Sequence, residues 1–353
     1  MAKTLKVGVI GVGGIAGSHF PGWNQSPLAE MAAFSDLNPD ILATRAKEHG
    51  IKKTYVDPLE LIADKDLDII DICTPNMYHT PLTVAALEAG KHVICEKPLA
   101  PKPADIRKMI RARNKAKKLL MTAQHFRFNP TAQALKAEID TGRLGDVYHA
   151  RSWMLRRSGA PTRAGFIQKK HSGGGPCIDI GVHILDLTLY MMGFPKPVAV
   201  SGITQNKLSQ LPGAFSNWGG PIPQQDWDVE EFAAAFVRFA TGATLVLEVS
   251  WLLNHKSGPG EDMQMWLYGD KGGSHWPSNE ILWTDNASTQ HFNAQLQNEV
   301  KGPEAHALEC IRFAEAVTNG EPSPVPAEQS LDVLTILDAL YRSSAAGAEV
   351  RLD

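Results

Sequence analysis

Short apolar runs alternate with helical patterns from residue 6 to about residue 123 of this 353-residue chain. Runs that are apolar along their whole length are typical of strands buried on both faces, which occur in parallel sheets covered by helices. Residues 1–125 are therefore predicted to form an α/β domain with a doubly wound parallel sheet. The predicted strands are Lys6–Ile10, Met31–Ser35, Thr54–Val56, Ile69–Cys73, His92–Cys95 and Leu119–Ala123. The predicted helices are Gly14–His19, Pro39–His49, Pro58–Ala63, Tyr78–Ala89 and Ala104–Ala116.

After Pro130 the pattern changes to longer strands with hairpin turns. Clustered antiparallel strands indicate a large, mostly antiparallel, open-faced sheet, so residues 126–353 are predicted to form an α+β domain. Its predicted strands are Val147–Leu155, Phe232–Phe239, Ala243–Trp251, Met263–Tyr268 and Ile281–Thr284. Its predicted helices are Thr131–Asp140, a buried helix that ends at Gly193, and Leu331–Ala346. Its predicted loops and connectors are 205–225, 286–298 and 321–326.

The open sheet leads us to expect a homodimer or a homotetramer, because an uncovered sheet face with apolar side chains is typical of an interface. The apolar residues that the strands carry on their two faces are Phe232, Phe236, Phe239, Leu245, Leu247 and Trp251.

Charge and cysteine usage exclude several classes of protein. The net charge of −3 gives no reason to expect a nucleic-acid or anionic-membrane partner, and no apolar run is long enough to span a membrane. The four cysteines contain no C-x-x-C pair and lie mostly in apolar runs, which favours core residues over a disulfide frame. Met1–Thr4 leaves no room for a signal peptide before the first strand. We expect a cytoplasmic protein.

A glycine-rich loop follows the first predicted strand and opens a helix, as a dinucleotide-binding loop does. In Gly11-Val12-Gly13-Gly14-Ile15-Ala16, Gly11 provides the tight turn and Gly13 lets the backbone approach a pyrophosphate. Asp36 ends the second strand, where a carboxylate can bind both ribose hydroxyl groups of an adenosine. A 2′-phosphate would meet this carboxylate without a neighbouring cation, so NAD is favoured over NADP.

Polar residues also follow two later strands. Thr74-Pro75-Asn76 ends the fourth strand and Glu96-Lys97-Pro98 ends the fifth. Ligands of open α/β sheets bind at the carboxyl ends of the strands, which is where the glycine loop and Asp36 also lie. Two simpler interpretations stay open: the first motif can be helix-start chemistry, and Lys97 can form a structural ion pair with Glu96 or with another acidic residue.

Asp179 and His183 are four residues apart on a segment that is otherwise apolar on every side. A helix of this kind is buried, and the spacing puts the carboxylate and the imidazole on one face, where burial requires a partner or a ligand. The alternatives are a satisfied core histidine, a structural Asp–His pair, or a metal site. One His and one Asp are too few ligands for a metal, so none is predicted.

Together these residues resemble the glucose-fructose oxidoreductase/inositol dehydrogenase family, often written Gfo/Idh/MocA. The resemblance runs nearly end to end and rests on the glycine loop, Thr74-Pro75-Asn76 with His79, Glu96-Lys97-Pro98, and Gly173-Gly174-Gly175-Pro176 leading into Asp179 and His183. It implies an NAD-binding Rossmann domain at 1–125, and a substrate-binding and oligomerisation domain at 126–353. It also implies that the catalytic set of the family corresponds to Lys97, Asp179 and His183.

The remaining site residues are predicted from the same motifs. Cofactor contacts are expected from Gly11, Gly13, Gly14, Ile15, Asp36, Thr74, Pro75, Asn76, His79, Glu96, Lys97 and Gln124. Substrate contacts are expected from Lys97, Asp179, His183 and Arg127, and from Arg156 and Arg163 as fork-shaped donors to hydroxyl or carboxylate oxygens.

The leading hypothesis is an NAD-dependent dehydrogenase that oxidises a secondary hydroxyl of a sugar, sugar derivative, glycoside or inositol. A second hypothesis keeps NAD bound and makes the net reaction redox-neutral, by transient oxidation and elimination with glycoside cleavage. A third is a ligand-sensing regulator with the same fold, which would have no need for Lys97 or His183. The sequence names neither the substrate nor the hydroxyl group that is oxidised.

Overall fold

The structure, a computed structural model, describes residues 3–256, 260–297 and 302–352. The chain divides into two compact units, one of residues 1–128 and 301–331 and the other of residues 129–300 and 332–353. The predicted division after residue 125 differs from this, because it assigns 301–331 to the second domain. The ends of the two predicted domains, residues 1 and 353, and the end of the predicted loop at Asn298 lie outside the described residues.

The first unit contains a six-stranded sheet of order β3-β2-β1-β4-β5-β6 among its described residues, and every strand pair is parallel. The predicted doubly wound sheet is confirmed. Its strands and helices are β1 (Leu5–Ile10), α1 (Ala16–Gln25), β2 (Ala29–Ser35), α2 (Pro39–His49), β3 (Lys53–Tyr55), α3 (Pro58–Ala63), β4 (Ile69–Ile72), α4 (His79–Glu88), β5 (His92–Glu96), α5 (Pro103–Ala116) and β6 (Leu120–Ala123).

The second unit contains a nine-stranded sheet of order β16-β15-β14-β13-β7-β12-β11-β8-β17 within the described ranges. Only β7 and β12 pair in parallel there, which confirms the predicted mostly antiparallel sheet. Its first elements are α6 (Pro130–Asp140), β7 (Val147–Arg156), α7 (Ala164–Ile167), α8 (Lys169–Ser172), α9 (Val182–Met192), β8 (Pro197–Gln205), β9 (Phe215–Ser216), β10 (Gly220–Pro221) and β11 (Phe232–Phe239). They are followed by β12 (Thr244–Ser250), β13 (Glu261–Gly269), β14 (Gly273–Trp276), β15 (Glu280–Asp285) and β16 (Gln290–Gln295).

Helices on one side of this sheet bury one face of its strands. On β12, Leu245 and Leu247 are fully buried, whereas the alternate residues Thr244 and Val246 are only half-buried. This period of two is the pattern of a sheet with one covered and one open face. Helix α9 packs against β7 and β13 on the covered side.

The chain ends with α10 (Ala305–Asn319), α11 (Ala327–Ala346) and β17 (Val350–Arg351). Helix α10 packs against α1 in the first unit. The contact is close at Gly22, where a Cβ atom would lie 2.4 Å from the carbonyl oxygen of Ala307. The backbone of α10 therefore reaches α1 only because α1 has a glycine there.

Several elements differ from the sequence predictions. The predicted loop 286–298 contains strand β16, which pairs with β15. The sequence predictions include neither β8, β14 nor α10. Residues Cys177–Gly181 form a π-helical turn that continues into α9, so the Asp179–His183 spacing does not follow regular α-helical geometry.

Candidate active site

The loop after β1 has the backbone shape of a phosphate-binding turn. Gly11 has a φ of 84°, and a Cβ atom there would lie 2.8 Å from the carbonyl oxygen of Cys73, so the position requires glycine. A Cβ atom at Gly13 or Gly14 would meet no described atom within 4 Å. This side of the loop is open to a ligand at the start of α1, where helix amides attract anions. Ile15, next to this start, is 37% exposed.

Asp36 follows β2, and two backbone amides hold its carboxylate. The amide of Val12 in the glycine loop donates to Oδ2 over 3.0 Å, and the amide of Asn38 donates to Oδ1 over 2.9 Å. Each carboxylate oxygen can accept a further hydrogen bond, so the half-buried group can still bind a ribose diol. Arg45, on the following helix, forms an ion pair with Glu48 at 2.9 Å.

The segment after β4 is tied to the segment after β5. The ring of His79 is fully buried, and its two nitrogens lie 2.8 Å from the carbonyl oxygens of Thr74 and Pro98. The imidazole therefore acts within the unit, by linking the two loops that carry Thr74-Pro75-Asn76 and Lys97.

Two buried polar atoms at this sheet edge, Thr74 Oγ1 and Gln124 Oε1, have no hydrogen-bond partner among the described residues. Gln124 follows β6 and is 1% exposed. Unsatisfied buried polar atoms are costly, so a polar ligand at this edge would stabilise both. Together with the open glycine loop and Asp36, these residues fit a dinucleotide.

Glu96 is buried at the end of β5 and its two carboxylate oxygens have different partners. Oε2 accepts a hydrogen bond from the backbone amide of Lys97 over 3.0 Å, and Oε1 lies 3.0 Å from His19 Nε2. Burial alone would raise the pKa of Glu96, but the hydrogen bond and charge of His19 lower it to about 2. The side chain of Lys97 is half-buried.

His19 and Asp71 are functional candidates absent from the sequence predictions. Asp71 lies within the apolar strand β4 and is fully buried, as is His19 on α1. His19 Nδ1 lies 3.1 and 3.0 Å from the two carboxylate oxygens of Asp71. The sequence signal available for this pair is a carboxylate inside an otherwise apolar strand, which needs a buried partner.

His19, Asp71 and Cys310 also form a group of possible metal ligands, whose ligand atoms lie within 4.8 Å of one another. The hydrogen bonds of His19 to Asp71 and Glu96 already account for both ring nitrogens.

Arg127 is 2% exposed, and its Nη1 donates to Gln329 Oε1 over 2.5 Å. The guanidinium therefore links two segments of the first unit. The adjacent His125 stacks on His306 at a ring distance of 3.7 Å. Burial, together with the charge of His306, lowers the pKa of His125 to about 3, so this ring is neutral near pH 7.

In the second unit, a buried glutamate holds the glycine-rich turn that precedes Asp179. Glu230 accepts hydrogen bonds from the backbone amides of Gly175, at 3.0 Å, and Cys177, at 3.1 Å, and from the hydroxyl of Tyr341, at 2.8 Å. A Cβ atom at Gly174 would lie 2.1 Å from Tyr341 Oη, and one at Gly175 would lie 2.1 Å from the carbonyl oxygen of Glu230. Close packing therefore requires both glycines.

Asp179 lies between two donors. Trp251 Nε1 donates to Asp179 Oδ2 over 3.2 Å, and Arg156 Nη1 lies 3.7 Å from the same oxygen. Arg156 is 8% exposed, and its guanidinium also binds Glu261 and packs over the ring of Trp218 at 4.1 Å. These contacts hold the guanidinium of Arg156 beside Asp179, and its predicted substrate contact stays a prediction.

His183 lies in the first turn of α9 and is 5% exposed. The preceding turn packs on β12, where a Cβ atom at Gly181 would lie in ordinary van der Waals contact with Val249 Cγ1, at 3.4 Å. Arg163, the residue before α7, is exposed. The structure thus places Lys97 in the first unit and Asp179, His183, Arg156 and Arg163 in the second.

Known families match both units. Residues 5–124 match the GFO_IDH_MocA family, described as an oxidoreductase family with an NAD-binding Rossmann fold. Residues 132–275 match the GFO/IDH/MocA C-terminal domain.

No described helix is both long and apolar enough to cross a membrane.

Individual relatives match along the whole chain. The chain is 32% identical to the D-glucoside 3-dehydrogenase of Escherichia coli strain K12, over 99% of this chain and 98% of the relative. It is 26% identical to the myo-inositol 2-dehydrogenase of Thermotoga maritima, over 99% of each chain. A solved levoglucosan dehydrogenase in complex with NADH has the same fold, with a TM-score of 0.87, 23% identity, and coverage of 99% of this chain and 100% of that one.

Proposed function

Because the chain belongs to the GFO/IDH/MocA oxidoreductase family, we propose that it oxidises a secondary hydroxyl of a sugar, sugar derivative, glycoside or inositol with NAD. Family membership confirms the resemblance drawn from the motifs. It also confirms the predicted enzyme class, an NAD(P)-dependent oxidoreductase acting on CH–OH groups. The observation that carries the proposal is the sheet edge that combines an open glycine loop, the Asp36 carboxylate and two unsatisfied buried polar atoms.

The glycine loop and Asp36 would hold NAD, which would supply the hydride acceptor for oxidation of the carbinol carbon. In our proposal His183 takes the proton of the substrate hydroxyl through its imidazole. The ammonium group of Lys97 donates a hydrogen bond to the same oxygen and stabilises the negative charge that develops there. Asp179, fixed by Trp251 and Arg156, orients the histidine or accepts a hydrogen bond from a neighbouring hydroxyl.

The mechanism is tested with Lys97→Ala and His183→Ala. Each should reduce kcat at least 100-fold, equivalent to about 3 kcal/mol of transition-state stabilisation, while NADH affinity stays nearly unchanged. NADH formation measures kcat and fluorescence titration measures NADH affinity. The matched controls are Lys102→Ala and His291→Ala, two exposed residues of the same types, which should behave as the unmodified protein. Near-normal turnover of His183→Ala would make it a core histidine and contradict the mechanism.

The names of the relatives give the order in which substrates should be tested. Glycosides of D-glucose come first and inositols second, followed by aldoses and uronates. The same assay separates the redox-neutral alternative, because a dehydrogenase consumes one NAD per substrate oxidised, whereas an enzyme with retained NAD accumulates product without NADH.

The preference for NAD follows from Asp36. Its carboxylate would repel a 2′-phosphate, and Arg45, the cation further along α2, is paired with Glu48. Asp36→Ala should weaken NAD binding and shift the ratio of kcat/KM values toward NADP. If the unmodified enzyme uses NADP ten-fold better than NAD, the carboxylate does not select the cofactor.

We also propose that the open sheet face forms a homodimer or homotetramer interface. The side chains of Phe232 and Phe236 are half-buried on this face, next to the partly exposed Val246. The four cysteines are all free and buried, which fits our proposal that the enzyme acts in the reducing cytoplasm. Light scattering at micromolar concentration should give two or four times the mass of the chain, and a stable monomer would contradict the interface.

A further inference from the structure

We propose that His19 is a positioning residue of the active site, a buried imidazolium that holds Glu96 and, through Glu96, the backbone of Lys97. The proposal rests on the catalytic role proposed above for Lys97. Helix α1 would then have two roles: its start would bind the phosphates of the cofactor, and His19 would position Glu96.

The hydrogen-bond geometry around the ring is satisfied when both of its nitrogens donate. His19 Nδ1 faces both oxygens of Asp71, at 3.1 and 3.0 Å, and Nε2 faces Glu96 Oε1 at 3.0 Å. An ionised carboxylate can only accept hydrogen bonds, and a neutral imidazole donates from one nitrogen only. Both contacts are satisfied together when the ring is an imidazolium.

The charges in the cluster lead to the same protonation state. Burial alone would lower the pKa of His19, but the charge and hydrogen bond of Asp71 raise it well above the usual value. A cation next to Glu96 lets this carboxylate remain ionised inside the sheet. The amide of Lys97 then has a charged acceptor in a fixed position, which strengthens that hydrogen bond.

The other groups around the ring do not supply a competing charge. Burial raises the pKa values of Cys73 and Cys310, so both thiols are protonated. Burial also raises the pKa of Glu309 on α10, whose Oε1 lies 3.7 Å from His19 Nε2, so this carboxyl group is neutral. Burial lowers the pKa of His306, whose ring centre is 6.4 Å from that of His19.

Two variants that neutralise the cluster in steps distinguish a positioning role of His19 from a purely structural one. His19→Gln removes the cation and leaves Asp71 buried without it, which should lower the melting temperature. His19→Gln combined with Asp71→Asn removes one charge of each sign and should recover much of that loss. In this double variant Glu96 still lacks its imidazolium, so kcat should remain at least ten-fold below wild type, with NADH affinity within two-fold.

Trp23→Phe is the matched control. It removes the 2.8 Å hydrogen bond from the indole to Asp71 but leaves His19 and Glu96 in place, so kcat should stay unchanged. If the double variant instead recovers both its melting temperature and full kcat, His19 only compensates Asp71 and the positioning role is wrong.

A second measurement does not depend on activity. In ¹⁵N NMR spectra of the wild-type protein at pH 8, both ring nitrogens of His19 should carry protons. A singly protonated ring would overturn the proposal, as would one equivalent of metal that is lost in His19→Gln. If Lys97→Ala keeps normal turnover, the catalytic role proposed for Lys97 fails, whereas the NMR result still reports on the imidazolium.

Discussion

Each unit contains a buried glutamate beneath a segment that carries a proposed catalytic residue, and the two glutamates are held in different ways. Glu96 binds the His19 ring and the amide of Lys97, and its pKa is lowered to about 2. Glu230 binds two backbone amides and the hydroxyl of Tyr341, and burial nevertheless raises its pKa. Three neutral donors offset only part of the desolvation, whereas one buried cation reverses it.

The difference concerns the free energy of folding as well as protonation. A carboxylate paired with a buried cation is costly to neutralise, because the cation then loses a charged acceptor. When a carboxylate held by neutral donors is replaced, only uncharged donors lose an acceptor. This costs less free energy of folding. The two glutamates can therefore be compared by the same substitution.

The largest effect is expected for Glu96→Gln. The variant removes the charged acceptor of His19 Nε2 and leaves Asp71 as the carboxylate partner of the ring, and its free energy of unfolding should fall by about 3 kcal/mol. Urea denaturation at pH 7 measures this value, with Glu88→Gln, an exposed residue at the end of α4, as the control. A loss below about 1 kcal/mol would mean that the cation does not distinguish the two sites.

A smaller effect is expected for Glu230→Gln. The oxygen of the new side chain can keep the hydrogen bonds that Oε1 accepts, but its NH2 group faces the amide of Gly175 in place of Oε2. About 2 kcal/mol should therefore be lost. The same denaturation experiment applies, and Glu248→Gln on the open face of β12 is the control. If Glu230→Gln and Glu96→Gln lose the same free energy of unfolding, the expected difference between the two glutamates is contradicted.

The smallest effect is the pH dependence, and its sign should be opposite at the two sites. The folded pKa of Glu96 is lowered, so its contribution is present above the unfolded pKa of about 4.3 and is lost as pH falls toward 2. The folded pKa of Glu230 is raised, so ionisation costs stability as pH rises above that unfolded value. Relative to wild type, the deficit of Glu96→Gln should shrink at low pH and that of Glu230→Gln should shrink at higher pH. Each slope should be at most about 1.4 kcal/mol per pH unit. Slopes of equal sign in denaturation curves between pH 2.5 and 7 would contradict both pKa directions.

Local signals account for the parts of the fold that the sequence predicts well. The predicted bounds of α2 and α3 coincide with the structure, because Asn38 and Asp57 cap the first turns and a proline follows each cap. Local signals do not predict strand β16, because Gln290–Gln295 is polar and forms a strand by pairing with β15. Helix α10 packs on α1, which is far away in the sequence, as the contact at Gly22 shows.

The same distinction applies to the site. Gly11, Asp36 and Gln124 lie at strand ends, so the strand pattern alone predicts their common edge. The partners of Asp71 and Asp179 lie far along the chain, at His19 and Trp251. The spacing of residues along the chain does not indicate which distant residues form such pairs. Residue type predicts a ligand contact for Arg156, but it does not indicate that the guanidinium also lies beside Glu261 and Asp179.

The close packing around Gly174 and Gly175 also has a consequence for how this sequence can diverge. A side chain at position 174 would occupy the place of the Tyr341 hydroxyl, and one at position 175 would displace the backbone at Glu230. No single replacement can be absorbed locally, since each collides with a group more than 50 residues away in the chain. In evolutionary terms, a larger residue at position 174 becomes possible only after the tyrosine at position 341 has been exchanged, whereas one at position 175 also requires the backbone at position 230 to move.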